Sequence, residues 1–142
     1  MTQVKDILAV KGGDVWSVTP QSMVYDAMKL MAEKGVGALM VILNGEVLGV
    51  ISERDYARKV ILQGRASRTT QVREIMSTQV LYAHPEQNIE QCMVLMTEKR
   101  VRHLPVWDEG RLLGVISIGD LVKSIITDQK FMIEQLERYI TS

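Results

Sequence analysis

Apolar positions recur with a helical period in two separate segments of the chain. In each segment the apolar side chains follow the spacing i, i+3, i+4, i+7, which is typical of an amphipathic helix. These positions are Val24, Ala27, Met28 and Met31 in the first segment and Ile89, Cys92, Met93 and Met96 in the second. Pro20 precedes the first segment, and Gly35 follows it where a helix C-terminus favours glycine. The pattern therefore predicts two amphipathic helices.

A pattern typical of a β-hairpin follows each predicted helix. The apolar run ALMVIL (38–43) leads into Asn44-Gly45, the strongest two-residue hairpin signal, and EVLGVIS (46–52) predicts the second strand. The later copy consists of HLPVW (103–107), a turn through 108–110 and RLLGVIS (111–117). After Ser52 and after Ser117 the period becomes helical again. We therefore expect an extended lead-in, a helix, a hairpin and a helix in each copy.

The two sets of elements are copies of one repeat. A shift of 65 positions aligns the chain with itself without a gap from Val15 to Ile61, and VKDIL (4–8) resembles VREIM (72–76) at a shift of 68. We assign residues 1–66 to the first copy and 67–142 to the second. The polar segment 63–71 is interpreted as a surface linker. The tail TDQKFMIEQLERYITS (127–142) has no counterpart in the first copy, and its apolar spacing predicts a terminal helix.

Composition narrows the class of protein. The chain has 142 residues, with 17 basic and 17 acidic side chains, and this balance disfavours a nucleic-acid partner, which a basic excess would attract. The single cysteine, Cys92, cannot form an internal disulfide, and with only His84 and His103 no zinc-binding spacing occurs. No stretch reaches the roughly 18 apolar residues of a membrane span, and the first residues lack a secretory apolar run. A cytoplasmic protein without a membrane or metal partner is expected.

The chemistry-bearing motif occurs once in each copy, as Ser52 with Asp55 and Ser117 with Asp120. A serine followed three residues later by an acid at a helix start is a capping box, in which each side chain bonds the other residue's backbone. The same geometry suits a nucleotide, because helix N–H groups attract phosphate and a carboxylate accepts both ribose hydroxyls. Gly49 and Gly114 precede the motifs and would permit a close neighbour or ligand. From the residues alone, the cap and the nucleotide cradle stay open as alternatives.

Order, spacing and duplication together resemble a pair of CBS domains (cystathionine β-synthase domains), also called a Bateman module. The resemblance extends from about Val4 to Ile126, and both copies match the family motif of glycine, two apolar residues, Ser or Thr, two variable residues and Asp. It implies an α/β fold, classed as α+β in some schemes. Two tandem motifs, each a small sheet with two helices, would be related by a pseudo-twofold axis.

The resemblance also implies two clefts that bind AMP, ADP, ATP, NAD or S-adenosylmethionine, with no catalytic cofactor. Asp55 and Asp120 would hold ribose hydroxyls, with Ser52 and Ser117 near ribose or phosphate. Adenine would lie against backbone and apolar side chains of the lead-in and first hairpin strand. The positions concerned are Val15, Ala38, Val80 and His103.

Cationic side chains differ between the copies. Arg54 lies between Ser52 and Asp55, where a guanidinium can form a bidentate bond with phosphate or remain solvated. Arg102 and His103 stand where the first copy has Gly37 and Ala38. The two copies therefore predict sites of unequal affinity or unequal ligand.

The sequence leaves three classes of function to distinguish: an enzyme, a regulatory sensor and an interaction module. No nucleophile elbow, phosphate-binding loop or metal cluster points to an enzyme, and a small hydrolase is the weakest option. The leading hypothesis is a regulatory sensor that binds adenosine nucleotides and signals in trans to an effector protein, because no catalytic or transport domain is attached. The alternative is a ligand-free interaction module in which both motifs are only helix caps. The resemblance implies a homodimer, because CBS-domain proteins commonly pair, and the apolar face of the tail helix would be covered in such a pair.

Overall fold

The computed structural model describes residues 2–141 and forms two compact units. One unit comprises Val15–Leu81 and is called the first-repeat unit. The other comprises the chain up to Asp14 together with the segment from Tyr82 onward, and is called the second-repeat unit. This spatial division is not the division along the sequence, because the first part of each lead-in, residues 2–14 and 72–81, belongs to the unit built on the other repeat.

Helices and hairpins alternate along the chain. In chain order the elements are helix α1 (Val4–Lys11), strand β1 (Ser17–Val18), helix α2 (Val24–Lys34), strands β2 (Ala38–Leu43) and β3 (Glu46–Ser52), helix α3 (Glu53–Tyr56) with a π-helical turn (Ala57–Ile61), a 3-10 turn (Val72–Glu74), helix α4 (Ile89–Lys99), strands β4 (His103–Asp108) and β5 (Arg111–Ser117), and helix α5 (Ile118–Thr141). The expected amphipathic helices and both hairpins are confirmed.

Each hairpin turns through two residues in the left-handed region. Asn44 and Gly45 have φ values of 52° and 78°, and Glu109 and Gly110 have 49° and 75°. Two consecutive positive φ angles define the turn whose twist matches that of paired strands. Strands β2 and β3 pair antiparallel with β1 parallel to β2, and β4 and β5 form a separate antiparallel pair. The register shifts once in each hairpin, just before Gly49 and Gly114.

The buried core repeats with the sequence. Six apolar positions are buried in both copies at a shift of 65 residues: Val24 and Ile89, Ala27 and Cys92, Met31 and Met96, Leu39 and Leu104, Val41 and Val106, and Ile51 and Ile116. They come from the amphipathic face of each helix and from alternate residues of each hairpin. Each unit therefore packs one helix face against one side of its own hairpin.

The exchanged lead-ins complete these two cores. Val4 and Ile7 are buried in the second-repeat unit, and Val72 and Ile75 are buried at the equivalent place in the first-repeat unit. Backbone bonds fix one of them, because Val50 and Ser77 exchange both N–H···O bonds at 3.0 and 2.9 Å. An alanine Cβ at Gly49 would lie 2.6 Å from the Ser77 carbonyl oxygen. Gly49 is thus required by the lead-in that crosses it, whereas a Cβ at the equivalent Gly114 would meet the Leu8 side chain at 2.8 Å.

The extended lead-in and the terminal helix are both confirmed. The lead-ins are extended where β1 pairs with β2 and where Ala83 bridges Val106. A helical turn closed by an acid precedes each extended part: the Gln3 N–H donates to Asp6 Oδ2 at 2.9 Å and the Gln71 N–H to Glu74 Oε2 at 2.6 Å. The terminal helix is the last part of α5, which continues unbroken from Ile118 to Thr141. The first repeat stops at Gly64, whose φ is +66°.

The linker lies on the surface, as predicted, and is held there against helix α2. The Val24 N–H donates to the Thr70 carbonyl at 2.8 Å and the Tyr25 N–H donates to the Ser67 carbonyl at 3.0 Å. These are first-turn N–H groups that have no partner within a helix. Thr70 is 2% exposed, and Arg68 stacks 4.0 Å from the centre of the Tyr25 ring. The linker therefore caps the N-terminus of α2.

The lead-in contact predicts unequal costs for two glycine substitutions. Gly49→Ala is expected to lower the free energy of unfolding by about 1–3 kcal/mol, because the added methyl meets a backbone carbonyl that cannot move independently. Gly119→Ala is the matched control, since its nearest heavy atom is Ser117 Oγ at 3.6 Å and alanine favours a helix. Urea denaturation followed by circular dichroism measures both. Equal stability of the two variants would contradict the packing.

Candidate functional site

The first cradle consists of Ser52 and Asp55 at the junction of β3 and α3. Asp55 Oδ2 accepts the Ser52 N–H at 3.0 Å and lies 3.1 Å from the Ser52 hydroxyl, while Ser52 Oγ accepts the Asp55 N–H at 3.2 Å. These reciprocal bonds form a capping box. They hold the carboxylate and the hydroxyl together at the end of a strand.

The second cradle consists of Ser117 and Asp120 at the junction of β5 and α5. The Ser117 N–H donates to Asp120 Oδ2 at 2.8 Å, and the Asp120 N–H donates to Ser117 Oγ at 3.2 Å. The two cradles therefore share one backbone arrangement. The capping interpretation is confirmed in both, and a cap does not occupy every acceptor of its carboxylate.

A lysine neutralises each carboxylate, but from different parts of the chain. Lys59, one helical turn after Asp55, places Nζ 3.2 Å from Asp55 Oδ1. Lys11, at the end of α1, places Nζ 2.7 Å from Asp120 Oδ2 and also donates to the Val115 carbonyl at 2.7 Å. The second cradle is therefore completed by a side chain from the first repeat.

The surroundings of Asp120 favour its charged form. Partial burial by itself raises the pKa of this carboxyl group. The hydrogen bonds from Lys11 and from the Ser117 N–H, together with the charge of Lys11, lower the pKa by more than burial raises it. The net result is a pKa below the ordinary value. Asp120 is thus an ionised acceptor throughout the neutral range.

His103 lies beside the second cradle. It is paired with Ser117 across the β4–β5 ladder, and the preceding Arg102 carbonyl accepts the Ile118 N–H at 2.9 Å. Burial lowers the pKa of His103, the charges of Lys11 and Arg102 lower it further, and Asp120 acts in the opposite direction. Because the net shift is downward, the imidazole is mainly neutral at pH 7 and can donate one hydrogen bond and accept another.

The equivalent place in the first cradle carries a carboxylate instead of cations. The Gly37 carbonyl accepts the Glu53 N–H at 3.1 Å, and Ala38 pairs with Ser52 across the ladder. A Cβ built on Gly37 would lie 3.2 Å from Glu53 Oε1, so the acidic side chain lies against the glycine. Arg54, the next residue, is exposed.

The two predicted residues not yet described, Val15 and Val80, lie in the same unit. Val15 and Val80 both lie in the first-repeat unit, which also contains Ala38, Ser52, Arg54 and Asp55. Val15 adjoins the sheet, since the next residue, Trp16, accepts the Met40 N–H at 3.2 Å. The second-repeat unit contains Arg102, His103, Ser117 and Asp120. Val80 therefore shares a unit with the first cradle and not with the second.

An open groove of about 880 Å³ lies on the helical side of the first-repeat unit. Its walls come from α2, the Gly35–Gly37 connection, α3 and the linker, and include Tyr25, Met28, Glu53 and Tyr56. Neither Ser52 nor Asp55 is among its lining residues. The groove therefore adjoins the first cradle at Gly37 and Glu53 without including its serine and aspartate.

Sequence reasoning missed both lysines. Lys59 follows Asp55 at i+4, a spacing at which opposite charges meet on a helix, so this pair was accessible from the sequence. Lys11 is 109 residues from Asp120 and carries no local signal. Within residues 2–141 no cluster of three metal-ligating side chains occurs, and no helix there has the length and hydropathy needed to cross a bilayer.

Comparison with known proteins gives consistent matches along the whole chain. The family model for the CBS domain matches residues 4–61 and 72–127. A CBS-domain protein of Burkholderia ambifaria, provisionally assigned to signal transduction, has a solved structure that is 55% identical in sequence, covers 90% of this chain and 96% of its own, and has a TM-score of 0.87. The family model places the two repeats where the self-alignment predicted them.

Two other proteins extend the comparison. The mitochondrial CBS domain-containing protein CBSX3 of Arabidopsis thaliana is 38% identical over 149 residues, which span 98% of this chain and 72% of the relative. The solved CBS domain pair of protein MJ0100 is 22% identical, covers 90% of this chain and 98% of its own, has a TM-score of 0.79, and was crystallised with 5′-methylthioadenosine and S-adenosyl-L-methionine. At that identity it supports the fold alone.

The environment of His103 predicts a pH-dependent stability. Its pKa is lowered in the folded protein, so below about pH 6.5 the unfolded chain binds a proton that the folded chain does not, and stability falls as the pH falls. Between pH 7.5 and 5.5, wild type should lose more unfolding free energy than His103→Gln. His84→Gln, at an exposed histidine, is the control and should retain the wild-type slope. Parallel curves for wild type and His103→Gln, from urea denaturation, would contradict this assignment.

Proposed function

The chain belongs to the CBS domain family, and from this premise we propose that it is a regulatory module that binds adenosine compounds at its two cradles and signals their presence to a partner protein. The observation that carries the proposal is the duplicated arrangement of Ser52 with Asp55 and Ser117 with Asp120. In both copies an oriented carboxylate and hydroxyl lie together at a strand end.

The cradles retain acceptor capacity after capping. In the second cradle the Ser117 N–H and Lys11 both bond Asp120 Oδ2, and among residues 2–141 no donor bonds Oδ1. In the first cradle Lys59 Nζ lies 3.2 Å from Asp55 Oδ1, and no other donor among the described residues bonds that oxygen. A carboxylate with a spare oxygen can accept the paired hydroxyls of a ribose. Adenosine compounds share that ribose, whatever their other substituents.

Candidate ligands are AMP, ADP, ATP, NAD and S-adenosylmethionine. The complex of the MJ0100 domain pair with 5′-methylthioadenosine and S-adenosylmethionine supports adenosine as the common chemical class. Val15, Ala38, Val80 and His103 remain our predictions for adenine contacts, and Arg54 and Arg102 for phosphate contacts. No catalytic role and no catalytic cofactor are proposed, because the cradle groups hold a ligand without forming a nucleophile and base pair.

Ligand binding regulates only if it distinguishes two states of the module. A ligand shifts such an equilibrium by the difference between its affinities for the two states. We propose that an effector protein reads the favoured state, in the cytoplasm as the sequence predicts. The competing function is an interaction module in which both motifs serve only as caps.

A thermal-shift panel with the five candidate ligands tests binding. A ligand at 100 times its dissociation constant should raise the melting temperature by about 10 °C, which corresponds to about 2.7 kcal/mol. Asp55→Asn and Asp120→Asn are suitable variants, because asparagine can still accept the capping N–H while the carboxylate charge is lost. Each should abolish the part of the shift that arises at its own cradle.

Glu98→Gln, on the exposed side of α4, controls for the loss of one negative charge and should respond like wild type. Absence of a shift with all five ligands, in a protein freed of bound nucleotide and verified by its absorbance at 260 nm, would favour the capping module. Slow conversion of any nucleotide in the same samples would instead indicate an enzyme.

We also propose that the chain forms a homodimer through the last part of α5. Ile133, Leu136 and Ile140 are 54–78% exposed, and their spacing of three and four residues places them on one face of the helix. An apolar stripe of this kind is stabilised by a second apolar surface. A second copy supplies the same stripe, as a twofold interface requires.

Analytical ultracentrifugation tests the dimer. Wild type should sediment as a dimer at micromolar concentration, and Leu136→Asp should weaken association roughly 30-fold, the effect of losing about 2 kcal/mol from an interface anchor. Glu134→Gln, about 100° around the helix from Ile133, is the matched control and should leave the dimer intact. A monomeric wild-type protein, or a dimer unaffected by Leu136→Asp, would exclude this interface.

A further inference from the structure

Lys11 is delivered to the second cradle by a segment that is fixed in place. The Val4 N–H donates to the Gln87 carbonyl and the Lys5 N–H to the Pro85 carbonyl, both at 2.9 Å, and Val4 is fully buried. After the helix, a Cβ built on Gly13 would lie 2.7 Å from the Leu113 carbonyl oxygen, so the chain is tightly packed there as well. The backbone of Lys11 is therefore anchored on both sides.

One of the two Lys11 bonds has a structural counterpart in the other unit. The Val115 carbonyl accepts Lys11 Nζ at 2.7 Å, whereas the equivalent Val50 carbonyl accepts the Ser77 N–H at 2.9 Å. This bond satisfies a strand carbonyl, which a neutral donor does equally well in the first-repeat unit. Supporting β5 therefore requires a donor at position 11 but not a positive charge.

The bond to Asp120 has no such counterpart. Asp55 forms the same cap without any cation from a lead-in, since its lysine comes from its own helix. The Lys11 side chain is 37% exposed, and its ammonium contacts Asp120 on the oxygen that already accepts the cap N–H. The bond therefore occupies part of the carboxylate that the proposed function assigns to ribose.

The charged side chains around the two cradles differ in net charge, which is positive at the second cradle and zero at the first. The second cradle has Lys11 and Arg102 beside Asp120, and both cations act on the intervening His103. The first cradle has Glu53 against Gly37 in addition to Asp55, balanced by Lys59 and Arg54. An anion is consequently favoured at the second cradle and not at the first.

We propose that Lys11 is a ligand-specificity residue of the second cradle, which transfers its ammonium from Asp120 to the phosphate of a bound adenosine nucleotide. This inference rests on the proposed function. The transfer exchanges one charge-assisted hydrogen bond for another, and it frees Asp120 Oδ2 for a ribose hydroxyl. A nucleoside without phosphate cannot draw the ammonium away and must compete with it. The second cradle therefore selects phosphorylated nucleotides over adenosine.

The test compares AMP with adenosine by isothermal titration calorimetry on full chains with one cradle disabled. In an Asp55→Asn chain, AMP should bind at least tenfold more tightly than adenosine. Lys11→Gln retains a donor for the Val115 carbonyl but removes the charge, and it should lower the ratio of the two affinities about tenfold, mainly by weakening AMP. Lys11→Arg, which retains the charge, should preserve most of the ratio.

Lys59→Gln in an Asp120→Asn chain is the matched control and should change the corresponding ratio less than threefold. Lys11→Met is a second charge-removing variant, and thermal melting by circular dichroism establishes that each variant folds. A ratio within twofold of the parent in Lys11→Gln and Lys11→Met, or equal weakening of AMP and adenosine, would overturn the specificity role while leaving the proposed function intact. Failure of both compounds to bind wild type would overturn both.

Discussion

The exchange of lead-in segments between the two repeats is the interaction on which the rest of this structure depends. Each repeat supplies a helix and a hairpin whose apolar faces pack together, but two buried core positions come from the other repeat: Val4 and Ile7 in one unit, Val72 and Ile75 in the other. A single repeat would leave these faces exposed, and burial of a Val or Ile side chain contributes about 1.5–3 kcal/mol. Two copies are therefore the smallest arrangement in which each core is complete.

The recurrence of Leu-Gly-Val-Ile-Ser follows from that exchange. The glycine accepts a lead-in crossing its strand, the isoleucine fills the core, and the serine ends the strand and caps the following helix. Capping and ligand binding are not exclusive uses of Ser52 and Asp55, because the cap engages one carboxylate oxygen and leaves the other directed elsewhere. A motif retained for folding can thus present, at no further structural cost, the groups that a ribose requires.

Local signals predicted much of the fold, and the limits of that prediction have physical causes. Hydrophobic period and the Asn44-Gly45 turn were sufficient for the hairpins and for α2 and α4, since both depend on nearby residues. The exchanged lead-ins and the Lys11 bond join residues far apart in sequence, for which no period or spacing exists. The two repeats also differ after their motifs: Gly64 follows the first-repeat helical turn with a positive φ, whereas its counterpart, Gln129, lies within the continuous α5.

The differences between the repeats are as informative as their identity. At a shift of 65 residues the core positions keep their apolar character. The positions around each cradle, which we call its rim, do not: Gly37, Ala38 and Glu53 in the first copy become Arg102, His103 and Ile118 in the second. Stability constrains the first set equally in both units, because each core must be filled to close packing. It places no such constraint on the charge of the rim. A duplicated scaffold can therefore hold two cradles of one backbone geometry and different net charge, and this difference is the basis on which we propose unequal ligand preference at the two sites.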